Sequence, residues 1–347
     1  MHAENRIART LRIVAVALGA AAGLAIGVPS VAQQPIKVGI ALSSFSIAQG
    51  LSFIAQDGGF FKKEGLDVTL IDARSGAGAI QAALSGNVQL ATGSLDSTLN
   101  ATAQGKLVHV PLRLYSGQPG YLVISKKFAD ASKVSANAPI AERLKALNGA
   151  TLASPSQSST YTVMLKQATD AAGVKATITF VASEGMVAAL STNNVDGVIV
   201  SSPYAEIAVA QGNVLWVDGP KGEFPGTQAD DFVVPLSVPD PFWKENRDAV
   251  ERVIRAYIAA SDFAKNNPSE AAKAIRGRFL NQDDALFALV WQRNLPAFTN
   301  VIPSVAAVKR TLNQAAGSNA AKIKALDPEV MLLSDVVAKA RAQVGGK

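Results

Sequence analysis

The sequence contains no cysteine and only two histidines, and these shortages exclude several common reactive sites. Without cysteine the chain can form no disulfide, no thiolate zinc site and no thiol nucleophile. His2 lies in the N-terminal leader, and His109 lies in an apolar run that predicts a buried strand. A Ser-His-Asp triad would therefore have to use His109. We expect no catalytic residues, no metal site and no cofactor.

Sequence motifs for nucleotides and for serine hydrolases are also missing. No Gly-Lys-Ser/Thr phosphate loop, no G-x-S-x-G elbow and no Ser-x-x-Lys occurs. Gly76 and Gly78 form G-x-G after a predicted strand, but Gln81 stands where a dinucleotide fingerprint has its third glycine. Nucleotide binding is therefore not indicated.

Basic clusters of the kind that bind nucleic acid are missing too. The formal net charge is +6, and three arginines and one glutamate fall in the first 32 residues, which leaves +4 for the remainder. The adjacent basic residues Lys62-Lys63, Lys126-Lys127 and Lys309-Arg310 are isolated pairs. Because nucleic-acid and lipid patches need dense clustering, we expect no nucleic-acid partner and interpret these pairs as solvated surface.

The first 32 residues have the three parts of a secretory signal. Three arginines are followed by an apolar stretch from Leu11 to Val28, and Ser30 and Ala32 give a small-x-small ending. The alternative is a single membrane anchor, because about 18 residues could just span a bilayer. Abundant glycine and alanine and the cleavage-site pattern favour a signal removed after Ala32. Without a cysteine for lipid attachment, we expect the exported protein to be free in the periplasm.

Short apolar runs alternate with helical patterns along the first two thirds of the chain, which predicts β-α-β units and mostly parallel sheets. The first series of predicted strands is Ile36 to Leu42, Val68 to Ile71, Val88 to Thr92 and Val108 to Leu114, with helical patterns at 47–56, 77–84 and 97–104. The second series is Tyr121 to Ile124, Thr151 to Ala153, Ile178 to Val181, Val198 to Val200 and Leu215 to Val217. Two α/β units, each with its own sheet, are therefore predicted.

The C-terminal third is helical after one apolar run, Phe232 to Ser237. Because it has no strand alternation of its own, we expect it to cover the first sheet. The chain then crosses between the units twice, near Ser116 to Gly120 and near Thr227 to Phe232. Two crossings side by side make a hinge and a closable cleft. The predicted domains are 1–32 as signal peptide, 33–118 with 229–347 as lobe 1, and 119–228 as lobe 2.

Clusters of serine, threonine and glycine follow five of the predicted strands and precede helical patterns. The clusters are 43–46, 75–78, 92–94, 154–160 and 201–204. A helix N-terminus presents unpaired N–H groups and about half a positive charge, which suits the oxygens of a sulfonate, carboxylate or nitrate. In an open α/β sheet such turns gather at the carboxyl edge, where ligands bind. We expect a small-molecule site with three clusters from lobe 1 and two from lobe 2.

The candidate ligand-binding residues come from these clusters and from the first crossing. They are Ser43, Ser44, Phe45, Ser75, Gly76, Ala77, Gly93, Ser94, Gln118, Gln157, Ser158, Ser159, Thr160, Ser202 and Tyr204. The alternative for each serine or threonine is that it only caps its own helix. Phe45, Tyr161 and Tyr204 could stack on an organic tail or belong to the core. Arg113 could be a counter-ion, or its side chain could face away.

Three segments carry a more specific pattern: Ile54–Val68 (IAQDGGFFKKEGLDV), Leu84–Ser94 (LSGNVQLATGS) and Asn194–Ala205 (NVDGVIVSSPYA). Together they resemble the exported solute-binding proteins of ABC importers, in the group associated with nitrate, sulfonate, taurine and pyrimidine precursors. The resemblance implies the type II periplasmic binding protein architecture, in which two Rossmann-like lobes are joined by a two-stranded hinge and the ligand binds in the cleft between them.

The resemblance also implies partners. Such a protein captures a small oxyanion-bearing organic solute and delivers it, as a monomer, to a transmembrane ABC permease with its cytoplasmic ATPase. One alternative is an enzyme of the same fold, of the thiamine-precursor or desulfinase type. The chemistry of those enzymes depends on cysteine, which this chain lacks. Another alternative is a binding subunit that serves a sensor rather than a permease.

Overall fold

The computed structural model describes residues 34–155, 157, 159–315 and 318–346, which form two five-stranded sheets. Sheet A contains β1 (Ile36–Leu42), β2 (Leu66–Asp72), β3 (Leu90–Thr92), β4 (Val108–Ser116) and β10 (Phe232–Pro239). Sheet B contains β5 (Tyr121–Ile124), β6 (Thr151–Ser154), β7 (Thr177–Phe180), β8 (Gly197–Val200) and β9 (Val214–Asp218). The strands predicted from the sequence are confirmed. The predicted signal peptide, residues 1–32, lies outside the described residues.

The two sheets share one strand pattern. Sheet A has the order β2-β1-β3-β10-β4, and sheet B has the order β7-β6-β8-β5-β9. Strand β1 pairs in parallel with β2 and β3, as β6 does with β7 and β8, whereas β10 and β5 run antiparallel to their neighbours. The carboxyl ends of the parallel strands therefore share one edge of each sheet, and the turns that follow them gather there.

Helices follow most strands, as the βαβ pattern predicts. The helices between strands of sheet A are α1 (Gly50–Asp57), α2 (Phe60–Lys63), α3 (Gly76–Leu84) and α4 (Leu95–Ala103). Those of sheet B are α5 (Lys126–Ser132), α6 (Ile140–Lys145), α7 (Thr160–Ala172), α8 (Ser183–Ser191) and α9 (Tyr204–Ala210). The C-terminal helices are α10 (Asp240–Glu245), α11 (Arg247–Asn266), α12 (Pro268–Ile275), α13 (Asp284–Asn294), α14 (Val305–Gln314), α15 (Ala320–Lys324), α16 (Pro328–Leu332) and α17 (Ser334–Gly345). Single 3-10 turns occupy Ile47–Gln49, Arg276–Arg278 and Leu295–Phe298.

Sheet A is covered by helices on both faces. Val38, Ile40 and Leu42 of β1 belong to a core that includes α1, α11, α12, α13 and α17, whereas Ala41 packs with α3 on the opposite face. This alternation follows from the two-residue period of a strand. Helices α14, α15 and α16 contribute to a further cluster with α4. The C-terminal helices therefore pack on sheet A.

Sheet B has the same three-layer arrangement. Leu122 and Ile124 of β5 pack in a cluster with residues of α6 and α7, whereas Tyr121 and Val123 pack with α8 and α9. Each face of the sheet thus has its own apolar core, and the polar turns are left for the edge where the strands end.

The two segments that connect the sheets lie side by side. The Gly117 N–H donates to the Asp231 carbonyl oxygen at 3.1 Å, and the Gly219 N–H donates to the Gly120 carbonyl oxygen at 3.1 Å. Gly117 has a φ of 72°, and a Cβ there would lie 2.7 Å from the carbonyl oxygen of Pro220. Only glycine fits this position, because a side chain would be strained by both the backbone conformation and the neighbouring chain.

Candidate functional site

Three of the predicted hydroxyl-rich turns meet at the carboxyl edge of sheet A. A Cβ built on Gly93, which follows β3, would lie 3.1 Å from the Gly76 Cα and 3.3 Å from the Ser43 Cβ. A Cβ built on Gly76 would lie 2.6 Å from the Ser94 Cβ. The turns after β1, β2 and β3 are therefore in direct contact, and the two glycines allow the approach.

Ser43 is held in place by a buried glutamine that sequence analysis missed. The Gln49 Nε2 donates to the Ser43 Oγ at 2.9 Å, and the Thr92 Oγ1 donates to the Gln49 Oε1 at 2.5 Å. The Ser43 N–H also donates to the Thr92 carbonyl oxygen at 2.9 Å. Gln49 is 1% exposed, so its amide is committed to joining the turns after β1 and β3. The sequence signal that could have identified Gln49 is a single glutamine within an otherwise apolar segment.

The serines that begin α3 and α4 cap their helices. The Ser75 Oγ accepts from the Gly78 N–H at 3.0 Å, and the Ser94 Oγ accepts from the Ser97 N–H at 3.4 Å. Capping satisfies one N–H of each first turn. The two helix N-termini still direct their partial positive charges toward the same edge of sheet A.

The remaining predicted residues of this edge are more exposed. The hydroxyls of Ser44 and Ser46 lie 2.9 Å apart, and Ala77 is exposed at the start of α3. Phe45 is 49% exposed, and its ring meets that of Phe53 edge-on at 5.6 Å between centroids. The contact with Phe53 thus holds the Phe45 ring in place while about half of the side chain stays accessible to a ligand.

The first turn of sheet B, after β6, is described in part. The Ser159 Oγ accepts from the Tyr161 N–H at 3.2 Å and so caps α7, and Gln157 is exposed. Ser158 lies outside the described residues, and of Thr160 only its place at the start of α7 is described.

Tyr161 and Gln118 lie where this turn meets the first connecting segment. A Cβ on Gly120 would lie 2.9 Å from the Tyr161 Cε1, so the ring packs directly on the backbone. Burial raises the pKa of Tyr161, and a hydrogen bond from Ser201 opposes the rise. The phenol of Tyr161 therefore stays uncharged at neutral pH. Gln118 is half-buried within the same segment.

The second turn of sheet B, after β8, joins the two sheets through Ser202. The Ser202 Oγ donates to the Glu206 Oε1 at 2.9 Å and accepts from the Asn294 Nδ2 at 2.9 Å. The Asn294 Oδ1 accepts in turn from the Tyr115 hydroxyl at 2.7 Å. Tyr204 is half-buried and packs with the core residues beside α8 and α9. Ser202 is thus part of a buried chain of hydrogen bonds.

Arg293 lies beside this chain, and the sequence patterns did not single it out. Its Nε lies 3.4 Å from the Glu206 Oε1, and its guanidinium carbon lies 5.4 Å from the centroid of the Tyr121 ring. Burial raises the pKa of Glu206, while Arg293 and the Ser202 hydroxyl oppose the rise. Between the two sheets, a guanidinium, a carboxyl group and an aromatic ring therefore lie next to one another.

Arg113 has a structural role. Its Nε and Nη2 each donate to the Asn300 carbonyl oxygen at 3.1 Å, and its Nη1 donates to the Asp230 carbonyl oxygen. Arg113 is 1% exposed, and its guanidinium holds the loops of Asn300 and Asp230 in place. Of the two interpretations of Arg113, a side chain that faces away from the ligand is therefore favoured over a counter-ion. His109 is likewise engaged, by the Val330 carbonyl oxygen and by Asp240.

The described residues contain neither a membrane-spanning helix nor a cluster of metal ligands. None of their helices is both long enough and apolar enough to cross a bilayer. Their histidine, aspartate and glutamate side chains form no group of three placed to hold a metal ion.

The fold defines an α/β protein of the type II periplasmic binding protein architecture, with two five-stranded mixed sheets flanked by helices. Residues 32–276 match the model of the NMT1-like family, and the chain belongs to that family. Among curated proteins, no sequence matches this chain.

Solved structures share the fold at low sequence identity. A protein from Bordetella bronchiseptica RB50 is 22% identical, with 90% of this chain and 99% of that chain covered and a TM-score of 0.67. The periplasmic aliphatic sulphonate binding protein SsuA from Escherichia coli is 16% identical (80% and 90% covered, TM-score 0.62). The periplasmic nitrate-binding protein NrtA from Synechocystis PCC 6803 is 13% identical (90% and 90% covered, TM-score 0.61). The family resemblance that three sequence segments indicated is confirmed.

Proposed function

We propose that this protein is the periplasmic substrate-binding component of an ABC import system and that it captures a small oxyanion-bearing organic solute, of the sulfonate or carboxylate type. The observation that carries the proposal is the meeting of the turns after β1, β2 and β3 at Ser43, Gly76 and Gly93. Two helix N-termini and several hydroxyls converge there, and such groups hold anionic oxygens without a chemical step.

The match to the NMT1-like family and the shared fold with proteins named for sulfonate and nitrate binding support this proposal. In the proposed arrangement, lobe 1 comprises residues 33–118 and 229–347, and lobe 2 comprises residues 119–228. The paired connecting segments serve as the hinge. The solute contacts turns from both lobes, so it binds the closed form more tightly than the open form and shifts the population toward closure.

The proposed cellular setting follows from the same role. The leader is removed near Ala32, and the monomeric protein diffuses in the periplasm until it meets its permease. The engagement of His109 by Asp240 and by a backbone carbonyl favours a binding protein over a Ser-His-Asp enzyme, because the imidazole already has two partners.

Isothermal titration calorimetry and small-angle X-ray scattering on the purified protein test the proposal. The panel contains ethanesulfonate, benzoate, sodium nitrate and the neutral compounds benzamide and cytosine. We expect saturable binding of at least one anion together with a smaller radius of gyration. Absence of binding and of compaction across the panel would contradict the proposal, and turnover of a bound compound would favour the enzyme alternative.

A pair of serine variants connects binding to the site. Ser43→Ala removes a hydroxyl at the meeting point of the turns, and we expect it to weaken anion binding by about threefold to tenfold, the usual effect of losing one hydrogen bond. Ser85→Ala is the matched control, since Ser85 is an exposed serine at the far end of α3 whose hydroxyl donates to the Ala82 carbonyl oxygen. Equal affinities for the two variants would place the solute elsewhere.

A further inference from the structure

Arg293 occupies a position between the two sheets. It lies near the end of α13, and this helix contacts both the turn Ile47–Gln49 after β1 and the helix α9 after β8. Its guanidinium lies over the ring of Tyr121, the first residue of β5 after the first connecting segment. Arg293 therefore stands beside predicted site turns of both sheets.

The guanidinium of Arg293 does not use all of its hydrogen-bond donors. Within the described part of the chain, its Nη1 is buried and has no hydrogen-bond partner. The contact between its Nε and the Glu206 Oε1, at 3.4 Å, is long for a charge-assisted hydrogen bond. The side chain is 25% exposed, so one part of the guanidinium is buried and another part is accessible.

Glu206 does not fully neutralise this arginine. Its Oε1 accepts from the Ser202 hydroxyl at 2.9 Å, and the carboxyl is buried at the start of α9. Burial raises the pKa of Glu206, and the nearby Asp218 raises it as well. Because the Glu206 Oε1 already accepts from Ser202 and lies 3.4 Å from the Arg293 Nε, the guanidinium keeps hydrogen-bond donors available for another anion.

We propose that Arg293 is the residue that meets the negative charge of the solute, and that it selects organic anions with two or more oxygens on one centre over neutral compounds. This inference rests on the proposed function and deepens it. A guanidinium presents its N–H donors as a rigid fork that matches the paired oxygens of a sulfonate or carboxylate. The hydroxyls and helix N-termini of the turns then bind the remaining oxygens.

A merely structural role for Arg293 makes a different prediction. In that role the arginine only ties α13 to Glu206, and removing both charges together would restore binding. We therefore compare Arg293→Gln, Arg293→Lys and the double variant Glu206→Gln/Arg293→Gln. The matched control is Arg341→Gln, because Arg341 is an exposed arginine on α17 paired with Asp262.

Calorimetry with ethanesulfonate, benzoate and benzamide gives the readout, and thermal melting shows that each variant is folded. We expect anion affinity to fall at least about tenfold in Arg293→Gln and in the double variant, with a smaller loss in Arg293→Lys and none in Arg341→Gln. If Arg293→Gln does not fold, the double variant, which removes both charges of this pair, decides the question.

The outcomes separate this inference from the proposed function. If the wild-type protein binds an anion and Arg293→Gln or the double variant binds it within twofold, the inference is overturned while the proposed function stands. If the wild-type protein binds benzamide and neither anion, the inference is also overturned. If it binds no solute at all, the proposed function fails first.

Discussion

The amide nitrogen Nδ2 of Asn294 donates to the hydroxyl oxygen of Ser202 at 2.9 Å, and both side chains are buried. Asn294 ends α13, which packs in the core of sheet A, and Ser202 lies in the turn after β8 of sheet B. Tyr115 and Glu206 extend the contact at either end. One continuous chain of hydrogen bonds therefore runs from β4 in one sheet to α9 beside the other.

Removing the Asn294 amide should destabilise the protein. In Asn294→Ala, the buried hydroxyl of Tyr115 loses its acceptor and Ser202 loses a donor, so we expect a loss of about 1–3 kcal/mol in the free energy of unfolding. Urea denaturation measures it. Asn313→Ala, at an exposed position of α14, is the control and should change stability by less than about 0.5 kcal/mol. Equal effects of the two variants would show that the chain of hydrogen bonds contributes nothing.

Glu206 gives the protein a specific pH dependence. Because burial raises the pKa of Glu206, the folded protein binds more protons than the unfolded chain between the ordinary pKa and the raised one. The contribution of Glu206 to stability therefore falls as the pH rises through that window. Arg293, Asp218 and Ser202 are the groups that modulate the shift.

Glu206→Gln removes this titration. We expect its free energy of unfolding, relative to that of the wild-type protein, to be higher at about pH 7.5 than at about pH 4. Urea denaturation at the two pH values measures the difference. Glu245→Gln changes an exposed carboxyl to the same amide and serves as the control. A relative stability of Glu206→Gln that does not change with pH would contradict the assignment.

The close approach of Gly76 to Ser94 predicts a strong effect of one methyl group. In Gly76→Ala, the new Cβ would lie 2.6 Å from the Ser94 Cβ and 2.7 Å from the Ser94 backbone nitrogen, so the turns after β2 and β3 must separate. We expect a loss of about 1–3 kcal/mol and weaker anion binding. Gly277→Ala is the control, because a Cβ at that position would have no atom within 4 Å among the described residues. Calorimetry and thermal melting compare the two.

Gln49 should matter for both stability and binding. In Gln49→Ala, the buried Thr92 hydroxyl loses its acceptor and Ser43 is no longer held, so we expect about 1–3 kcal/mol less stability and a weaker anion affinity. Gln81→Ala, on the exposed face of α3, provides the comparison. Wild-type affinity in a folded Gln49→Ala protein would show that the position of Ser43 is unimportant for binding.

The strands of both sheets could be predicted from the sequence because most of them are short apolar runs that alternate with helical patterns. Strand β1 was predicted at its observed bounds, Ile36–Leu42, since its residues alternate between two apolar cores. The helical pattern at 47–56 was less well resolved. The structure divides it into a 3-10 turn and α1, and Gly59, with a φ of 73°, separates α1 from the short helix α2.

The contacts between polar side chains that lie between the two sheets could not be predicted in this way. Asn294 and Ser202 are 92 residues apart, and Arg293 and Asn294 lie on a helix whose pattern indicates only that it packs on a core. Polar partners that meet through tertiary structure leave no period and no spacing in the sequence. Gln49 belongs to the same class, since its two partners come from different turns.

Strand β10 lies between β3 and β4, although it follows them in the chain only after all of sheet B. During synthesis, sheet B has every one of its strands once β9 has emerged, whereas β3 and β4 are still without the strand that joins them. The nascent chain thus exposes unpaired, apolar strand edges from its N-terminal part until residues 232–239 arrive. Nascent chains that carry such unfinished edges are candidates for chaperone protection, and sheet B can fold before sheet A is complete.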